Sequence, residues 1–243
     1  MILALPARAK LNLDLKVIGR RRDGFHDIKT TMQTIELHDL LLIETADATA
    51  LTVSGMALPA TGDNSVLKAH AALQGAAKRP LPARFHLHKR IPAGSGMGGA
   101  SSDAATTLIG LKSLFALDVD LGPIAEEVGS DVPFFLAGGG AACVEGRGER
   151  VTPIPLTDTW FAIAWPGIEL STQAVYEAWD GVKGDDLQAA AEHAEPRLKD
   201  FAEKLGPGWR MTGSGSAFFK PTNTREQAED AIGNFDCWTA LTR

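Results

Sequence analysis

The sequence predicts a protein of the α+β class, because strand-like and helix-like patterns occur in both halves of the chain. Residues 9–18 alternate apolar with polar side chains, a pattern typical of a half-buried strand. Asn64 is a favourable N-cap for residues 65–77, in which apolar side chains recur at helical spacing. Prolines break the pattern near residues 150–158, and strands and helices resume beyond them.

The remaining elements follow from the same two periodicities and from their breakers. Strands are predicted at residues 27–45 (one or two strands), 51–53, 85–88, 160–165, 209–212, 217–220 and 237–241. Helices are predicted from Ser101 to residue 114, at 121–128, at 173–179, over 187–205 with a break at Pro196, and at 226–232. The mixture of both types in each half is what favours α+β.

Length, composition and charge narrow the functional class. The 243 residues are 44% apolar and 22% charged, so a core can be buried without a metal or a disulfide. The net charge of −6 argues against a nucleic-acid partner, which a basic excess on one face would indicate. The compact basic cluster at residues 20–22 is diluted by Asp23 and Asp27 and is typical of a solvated loop.

The cysteines and the apolar segments predict the compartment. Cys143 and Cys237 are far apart and lack metal-ligand spacing, so we expect reduced thiols. The amino terminus carries its positive charges after its apolar residues, the reverse of a signal peptide. No apolar run approaches the ~20 residues that a membrane span requires. We therefore expect a cytoplasmic protein without a membrane partner.

A glycine-rich segment at residues 92–102 carries the strongest chemical signal. Glycines let the backbone approach an anion closely, and the serines at the end of the segment open a helix whose free N–H groups favour phosphate. The candidate anion-binding residues are Pro92, Ala93, Gly94, Ser95, Gly96, Met97, Gly98, Gly99, Ala100, Ser101 and Ser102. They predict an anion site without naming the anion.

Three interpretations of this segment compete. Gly94, Gly96 and Gly99 match the dinucleotide pattern Gly-x-Gly-x-x-Gly, but no strand precedes the acidic residues about twenty positions later. A Walker loop is excluded, because no Gly-Lys-Ser/Thr follows the glycines. A glycine-rich turn that only caps a helix is the structural alternative.

Two charged residues in otherwise apolar surroundings are candidates for catalysis. Lys10 and Asn12 lie on the strand face opposite the leucines and could project into one cleft, or they are exposed on a half-buried strand. Asp131 lies in an apolar run close to three glycines, as a buried carboxylate would. Its alternative is an N-cap for a short helical turn that contains Pro133.

Two further segments offer polar or aromatic groups to a ligand. Residues 212–216 form either a hairpin turn or a second backbone nest for phosphate. Phe25 offers an aromatic face to a base, and His26 a donor and an acceptor to its edge, although both residues also suit a packed turn. His86 and His88 lack a third metal ligand and are interpreted as polar strand residues.

Together these segments resemble the GHMP kinases, a family of small-molecule kinases that includes galactokinase, homoserine kinase and mevalonate kinase. The pattern Pro-x-x-x-Gly-x-Gly-x-x-Ser-Ser at residues 92–102 is similar to the ATP loop of that family. The segments that carry the resemblance occur in the order of one branch of the family, at residues 9–13, 22–26, 63–65, 92–105, 130–135 and 212–216. Their combination is specific, although each segment alone is not.

The resemblance implies two domains that meet at a cleft, the first like a domain found in some ribosomal proteins and the second ferredoxin-like. With the break near residues 150–158, we expect them at residues 1–152 and 153–243. The branch implies transfer of the ATP γ-phosphate to the 2-hydroxyl of an erythritol unit that carries a cytidine diphosphate group. This reaction belongs to the non-mevalonate isoprenoid pathway. Mg²⁺ is expected to bridge the ATP phosphates.

The resemblance also assigns roles to single residues. Asp131 is expected to be the catalytic base, and Lys10 to keep it ionised and to neutralise charge on the phosphoryl group. ATP is expected against residues 92–102, with Asn64 and Ser65 near the adenine. The expected substrate-binding residues are Asn12, Phe25, His26, Thr172 and Gly213. The resemblance assigns no metal ligands.

Departures from the family pattern leave alternative functions open. Phe25 stands where tyrosine is usual, and residues 185–210 form a shorter stretch than usual. One alternative is a GHMP kinase for a different small alcohol, and another is a non-catalytic binding domain. The acidic balance and the joint presence of Lys10, Asp131 and the glycine-rich segment argue against the binding domain. We expect a monomer or a weak homodimer.

Overall fold

The computed structural model describes residues 1–56, 63–184, 186–233 and 235–243, so Asp185, at the start of the short stretch, lies outside the described residues. In chain order the elements are β1 (Ile2–Arg20), β2 (His26–Thr45), β3 (Ala50–Gly55), α1 (Ser65–Ala77), β4 (Ala83–Lys89), α2 (Gly99–Leu114), α3 (Gly122–Val128), α4 (Val132–Leu136), β5 (Ala141–Gly146), β6 (Arg150–Ile154), β7 (Trp160–Trp165), α5 (Thr172–Val182), α6 (Gln188–Ala194), α7 (Arg197–Leu205), β8 (Arg210–Met211), β9 (Phe218–Thr222), α8 (Arg225–Ile232) and β10 (Trp238–Thr242). The predicted α+β class is confirmed.

These elements form two compact units, each assembled from separate parts of the chain. The first unit comprises Met1–Ala9, His38–Ala93 and Gly98–Gly139, and the second comprises Lys10–Leu37, Gly94–Met97 and Gly140–Arg243. The strands β1 and β2 contribute residues to both units. The predicted division of the chain between residues 152 and 153 stays a prediction.

The first unit is built around β4. Strand β3 pairs with β4 in parallel, and α1 forms the crossover that a parallel pair requires. The last residues of β2, Leu40 to Thr45, pair with β4 in antiparallel orientation on its other edge. Helix α2 packs against α1 and α4. The largest fully buried side chains of this unit are Phe85, Phe134, Leu41, Ile43, Leu73 and Leu81.

The second unit contains two sets of paired strands. Residues Ile28 to Gln33 of β2 pair with β5, and β5 pairs with β6, in antiparallel orientation. A separate four-stranded antiparallel sheet has the order β10-β7-β9-β8. With α5 to α7 after β7 and α8 after β9, this sheet has the ferredoxin-like topology that the sequence predicts for the C-terminal part. Its core includes Trp179, Leu187, Leu198, Val175 and Phe218.

Local signals located most elements correctly. Helix α1 and strand β7 have the predicted bounds, and residues 27–45 form the single strand β2. The sequence interpretation missed β5 and β6, gave α4 only as the alternative short helical turn that contains Pro133, and mistook residues 150–154 for a break. They form β6, in which Pro153 is tolerated because β6 pairs with β5 alone and is an edge strand.

Two further expectations concern the cysteine thiols and membrane-spanning helices. Cys143 and Cys237 carry free thiols, as predicted. In the part of the chain that the structure describes, none of the helices combines the length and the apolar character needed to traverse a bilayer. The cytoplasmic location stays a prediction.

Candidate active site

The centre of the candidate site is the buried middle of β1, where the part of the strand that belongs to the second unit begins. Lys10 and Asn12 are each only 3% exposed, so their interpretation as solvent-facing strand residues is wrong. The residues from Ala9 to Asn12 are all buried, which means that β1 is covered on both faces here. Lys10 Nζ donates hydrogen bonds to Asn12 Oδ1 at 2.5 Å and to the carbonyl oxygen of Gly96 at 2.7 Å.

Asn12 is held in one orientation by two threonines. Its Nδ2 donates to Thr30 Oγ1 at 2.8 Å, and its backbone N–H donates to Thr212 Oγ1 at 2.9 Å. With the amide nitrogen engaged by Thr30, the amide oxygen faces the Lys10 ammonium, which is the electrostatically favourable arrangement. The orientation of Lys10 is therefore fixed through a network rather than by the lysine alone.

The first part of the glycine-rich segment is tied down by backbone hydrogen bonds. The carbonyl oxygen of Gly94 accepts from the N–H groups of Leu170 and Ser216, each at 3.2 Å, and Ala217 donates to the carbonyl oxygen of Ser95 at 2.9 Å. The backbone N–H of Lys10 donates to the carbonyl oxygen of Met97 at 2.9 Å. These bonds hold residues 94–97 in a fixed conformation beside Lys10.

The turn at residues 212–216 closes against the same group of residues. Gly213 has φ +58°, and a Cβ there would lie 3.0 Å from Asn12 Oδ1 and 3.1 Å from Lys10 Nζ. A side chain at residue 213 would therefore force the network to shift by a few tenths of an ångström. Ser214 Oγ lies 2.9 Å from Thr172 Oγ1, which joins the start of α5 to this turn. The structure thus brings together four predicted residues: Lys10, Asn12, Gly96 and Gly213.

The second part of the glycine-rich segment belongs to the first unit and opens α2. Gly98, with φ +72°, precedes the helix, and Ser102 donates its backbone N–H to the Gly98 carbonyl. A Cβ on Gly99 would lie 3.0 Å from Ile91 Cγ2 and 3.3 Å from Lys89 Nζ, so the absence of a side chain favours the close packing here. The other predicted residues here differ in exposure: Pro92 and Ser102 are buried, Ala93 and Ser101 half-buried and Ala100 exposed.

A buried charged cluster at the start of α2 escaped the sequence interpretation. Lys89 Nζ donates to Asp103 Oδ2 at 2.8 Å and contacts Asp39, and all three side chains are at most 3% exposed. Asp39 Oδ1 accepts from the backbone N–H groups of Arg90 and Ile91 at 2.6 and 2.9 Å. Position 89 shares the parity of the buried residues of β4, and that signal was available in the sequence.

The pKa of the Asp103 carboxyl group is raised in this cluster. Burial is the main cause that raises its pKa, to about 7, and the nearby Asp39 adds to the effect while Lys89 opposes it. Among the described residues, Asp103 Oδ1 is the fully buried side-chain atom without a hydrogen-bond partner. One ammonium group faces two carboxyl groups, so a proton on one of them leaves the cluster close to neutral.

The predicted base and adenine residues also lie in the first unit. Asp131 is half-buried and precedes α4 without capping it through its side chain, so the N-cap alternative is not supported. Asn64 caps α1 as predicted, because its Oδ1 accepts from the backbone N–H of Val66 at 3.0 Å. Ser65 is the first residue of that helix. Their roles in catalysis and in adenine binding stay predictions.

The predicted base-binding residues lie in the second unit at the start of β2. Phe25 is 48% exposed, and the guanidinium of Arg147 lies over its ring at 4.9 Å from the centroid. His26 is buried, and its Nε2 lies 2.9 Å from Asp180 Oδ1. Arg20 pairs with Asp180, whereas Arg21 pairs with Asp23 in the turn and with Asp27 on β2.

Known proteins resemble this chain over nearly its whole length. A sequence model described as the GHMP kinases N terminal domain matches residues 64–139. A protein of Delftia acidovorans named 4-diphosphocytidyl-2-C-methyl-D-erythritol kinase is 38% identical over 260 aligned positions, and the alignment covers 94% of this chain and 90% of that protein. The chain belongs to the GHMP kinase family.

Solved structures agree with this family. A crystal structure of 4-(cytidine 5'-diphospho)-2C-methyl-D-erythritol kinase matches with a TM-score of 0.78 and 32% identity, covering 99% of both chains. Homoserine kinase from Cytophaga hutchinsonii shares the fold, with a TM-score of 0.66 at 15% identity over 99% of this chain and 93% of its own. GHMP kinases are ATP-dependent phosphotransferases, so this chain is a kinase rather than a non-catalytic binding domain.

Metal binding by side chains alone is not supported in this GHMP kinase. Within residues 1–56, 63–184, 186–233 and 235–243, no group of three His, Cys, Asp or Glu side chains is arranged to hold a metal ion. His86 and His88 instead form hydrogen bonds to Thr52 and Ser54 on the neighbouring strand. A magnesium ion bound chiefly by nucleotide phosphates does not need such a group.

Gly213→Ala in this GHMP kinase is expected to lower the rate of phosphoryl transfer by ~10²-fold, because the new Cβ displaces Lys10 and Asn12. The rate of ADP formation measures the effect. Gly167→Ala is the matched control, since Gly167 also has positive φ (+75°) but no atom within 4 Å of an added Cβ. Both variants carry the same left-handed strain of about 1–2 kcal/mol. Equal rates in the two variants would contradict the assigned role of the network.

Asp103→Asn is expected to make stability less dependent on pH. The folded state keeps a proton on Asp103 that the unfolded chain releases between its ordinary pKa of 3.8 and about 7. In the native protein this group therefore lowers the free energy of unfolding as pH rises through that window, by up to about 1.4 kcal/mol per pH unit. The variant lacks this contribution.

Urea unfolding at several pH values between about 4.5 and 7.5 measures the difference in slope. Asp118→Asn, which changes an exposed carboxylate that follows the same helix, is the control and should leave the slope unchanged. Parallel stability curves for the native protein and Asp103→Asn would show that Asp103 is ionised in the folded state.

Proposed function

We propose that this GHMP kinase phosphorylates the 2-hydroxyl of 4-diphosphocytidyl-2-C-methyl-D-erythritol with ATP, as a step of non-mevalonate isoprenoid synthesis. The observation that carries the proposal is the similarity, over 94% of the chain, to a protein named for that reaction. The network of Lys10, Asn12, Gly96 and Gly213 supports it, because it supplies a fixed cation beside a glycine-rich segment. A cytoplasmic location and a monomer or weak homodimer complete the proposal.

We assign the ATP phosphates to residues 92–102. Added Cβ atoms would collide with neighbouring backbone, at 2.2 Å from the Thr212 carbonyl oxygen for Gly96 and at 2.8 Å from the Leu170 nitrogen for Gly94, so glycines let this segment pack closely while its backbone stays accessible. The free N–H groups at the start of α2 add a partial positive charge. Asn64 and Ser65 are proposed to lie near the adenine. Mg²⁺ on the ATP phosphates would neutralise part of their charge.

Asp131 is proposed as the base that accepts the proton of the substrate hydroxyl, with Lys10 as the cation that favours its ionised form. Lys10 is suited to this role because its ammonium group is already oriented by two oxygen acceptors, Asn12 Oδ1 and the Gly96 carbonyl. It can stabilise negative charge without reorganisation at the moment of transfer. Asn12 is proposed to contact a hydroxyl or a phosphate of the substrate.

The cytidine diphosphate group is assigned to Phe25, His26, Thr172 and Gly213. Phe25 exposes nearly half of its surface while Arg147 covers part of its ring, an arrangement that leaves aromatic surface for stacking a pyrimidine. Phenylalanine in place of tyrosine retains the ring and loses only a hydroxyl. Thr172 at the start of α5 adds a hydroxyl beside Ser214.

Purified protein, ATP and Mg²⁺ with different acceptors test the proposal by the release of ADP. We expect turnover with 4-diphosphocytidyl-2-C-methyl-D-erythritol. Release of ADP with mevalonate or homoserine but not with the cytidyl substrate would replace the proposal with that of a GHMP kinase for another alcohol. Mass spectrometry of the product, with one added phosphate on the erythritol part, completes the test.

Asp131→Asn is expected to lower kcat by ~10²–10⁴-fold, because the amide has nearly the shape of the carboxylate but cannot accept the proton. Asp120→Asn is the control in the same unit. Asp120 is exposed and accepts a backbone N–H at the start of α3, so the substitution tests the general effect of losing a helix-flanking carboxylate. Near-native kcat in Asp131→Asn would remove Asp131 from the chemistry and leave the acceptor assignment intact.

A further inference from the structure

The imidazole of His26 is confined by aromatic rings in the second unit. Its side chain is 6% exposed, it stacks on Tyr176 with ring centroids 4.9 Å apart, and it meets the edge of Trp179 at 5.5 Å. Both aromatic residues lie on α5. A ring packed on two sides cannot turn over freely, so each of its nitrogens keeps its own surroundings.

One of these nitrogens faces a carboxylate. His26 Nε2 lies 2.9 Å from Asp180 Oδ1, and the other carboxylate oxygen, Oδ2, lies 3.0 Å from an Arg20 guanidinium nitrogen. The hydrogen bond from His26 is the main cause that lowers the pKa of Asp180, and the charge of Arg20 lowers it further. Asp180 is therefore a carboxylate at neutral pH, and a carboxylate only accepts hydrogen bonds.

This pairing decides the tautomer of the histidine. Because Asp180 only accepts, Nε2 carries the hydrogen, and in a neutral imidazole Nδ1 then carries a lone pair. Among the described residues, Nδ1 makes no hydrogen bond. It is not one of the fully buried side-chain atoms without a partner, because in the described part of the chain that is Asp103 Oδ1. Nδ1 is therefore within reach of solvent, or of a ligand.

We propose that Asp180, held by Arg20, is a positioning residue that fixes His26 as a hydrogen-bond acceptor and so selects cytosine over uracil. This inference rests on the proposed function, which assigns the base to Phe25 and His26. Cytosine carries an amine donor at the position where uracil carries a carbonyl acceptor. The amine can donate to Nδ1, whereas the uracil oxygen would place one lone pair against another.

The size of the expected discrimination follows from the burial of His26. A polar group in a packed site that loses its partner is left unsatisfied, which is why sites built around a hydrogen bond reject analogues strongly. We expect kcat/KM for the cytidine substrate to exceed that for its uridine analogue by at least ~10-fold, chiefly through KM. If the pairing of Asp180 with His26 and Arg20 served only stability, substitution of Asp180 would leave the cytidine-to-uridine ratio of kcat/KM unchanged.

Asp180→Asn tests the assignment. Its amide NH₂ can donate to Nε2, which favours the tautomer with hydrogen on Nδ1 and turns His26 into a donor toward the base. We expect the cytidine-to-uridine ratio of kcat/KM to fall by at least ~10-fold, with kcat for the cytidine substrate nearly unchanged. Asp180→Glu, which restores a carboxylate, should recover part of the selectivity.

Glu177→Gln is the matched control. It removes a negative charge from the same helix at an exposed position, where Glu177 bonds to Gln173 and not to His26. An equal loss of selectivity in Glu177→Gln would assign the effect to the charge of the helix and overturn the proposal. An unchanged ratio in a folded Asp180→Asn would overturn it as well.

The tautomer can be measured without turnover. In protein labelled with ¹⁵N-histidine, at a pH where histidine is ordinarily neutral, the two ring nitrogens of each tautomer differ in chemical shift. We expect hydrogen on Nε2 of His26 in the native protein and on Nδ1 in Asp180→Asn, with the His26 signal identified by its loss in His26→Gln. Hydrogen on Nδ1 in the native protein would overturn the proposal.

The two readouts separate this inference from the proposed function. If the native protein releases ADP with neither the cytidine nor the uridine substrate, the proposed function fails, and the selectivity fails with it. If it turns over the cytidine substrate but the ratio does not respond to Asp180→Asn, the proposed function stands and the role of Asp180 fails alone.

Discussion

The burial of the Lys10 ammonium group is the constraint on which the candidate site depends. A charge in the protein interior costs several kcal/mol unless polar groups surround it. Asn12 Oδ1 and the Gly96 carbonyl accept hydrogen bonds from it and so offset part of that cost. Thr30 holds the amide of Asn12, and the absence of a side chain at Gly213 leaves the space for Lys10 and Asn12. Thr30 and Gly213 thus serve the same purpose, which is to keep Asn12 in place beside the buried charge of Lys10.

The first unit also contains a buried lysine, Lys89, whose surroundings differ from those of Lys10. Lys89 is buried beside two carboxyl groups; the raised pKa of Asp103 favours a proton that brings the cluster closer to neutral, and Asp39 accepts hydrogen bonds from two backbone N–H groups. Lys10 donates to two neutral oxygens of the second unit, Asn12 Oδ1 and the Gly96 carbonyl, whereas Lys89 contacts two carboxyl groups of the first unit.

The sequence was informative where the cause of the structure is local. Helix α1 begins at its predicted cap because Asn64 bonds to a residue two positions away, and the parity of β1 placed Lys10 and Asn12 on one face. Partners distant along the chain could not be predicted: Asn12 bonds to Thr212, 200 positions later, and His26 to Asp180, 154 positions later. Short strands such as β5, which is stabilised by pairing with β2 and β6, lack a periodic signal of their own.

The fold limits the hydrogen bonds that the His26 side chain can make. As a residue in a sequence, histidine offers both a donor and an acceptor, so it suits any base edge. In the fold the donor is engaged by Asp180, whose second oxygen is held by Arg20, and the stacked ring of Tyr176 prevents the nitrogens from exchanging places. One acceptor is left, and an acceptor distinguishes an amine from a carbonyl at the same position of a pyrimidine. Under the proposed assignment of the base to His26, its recognition depends on a carboxylate that need not touch it.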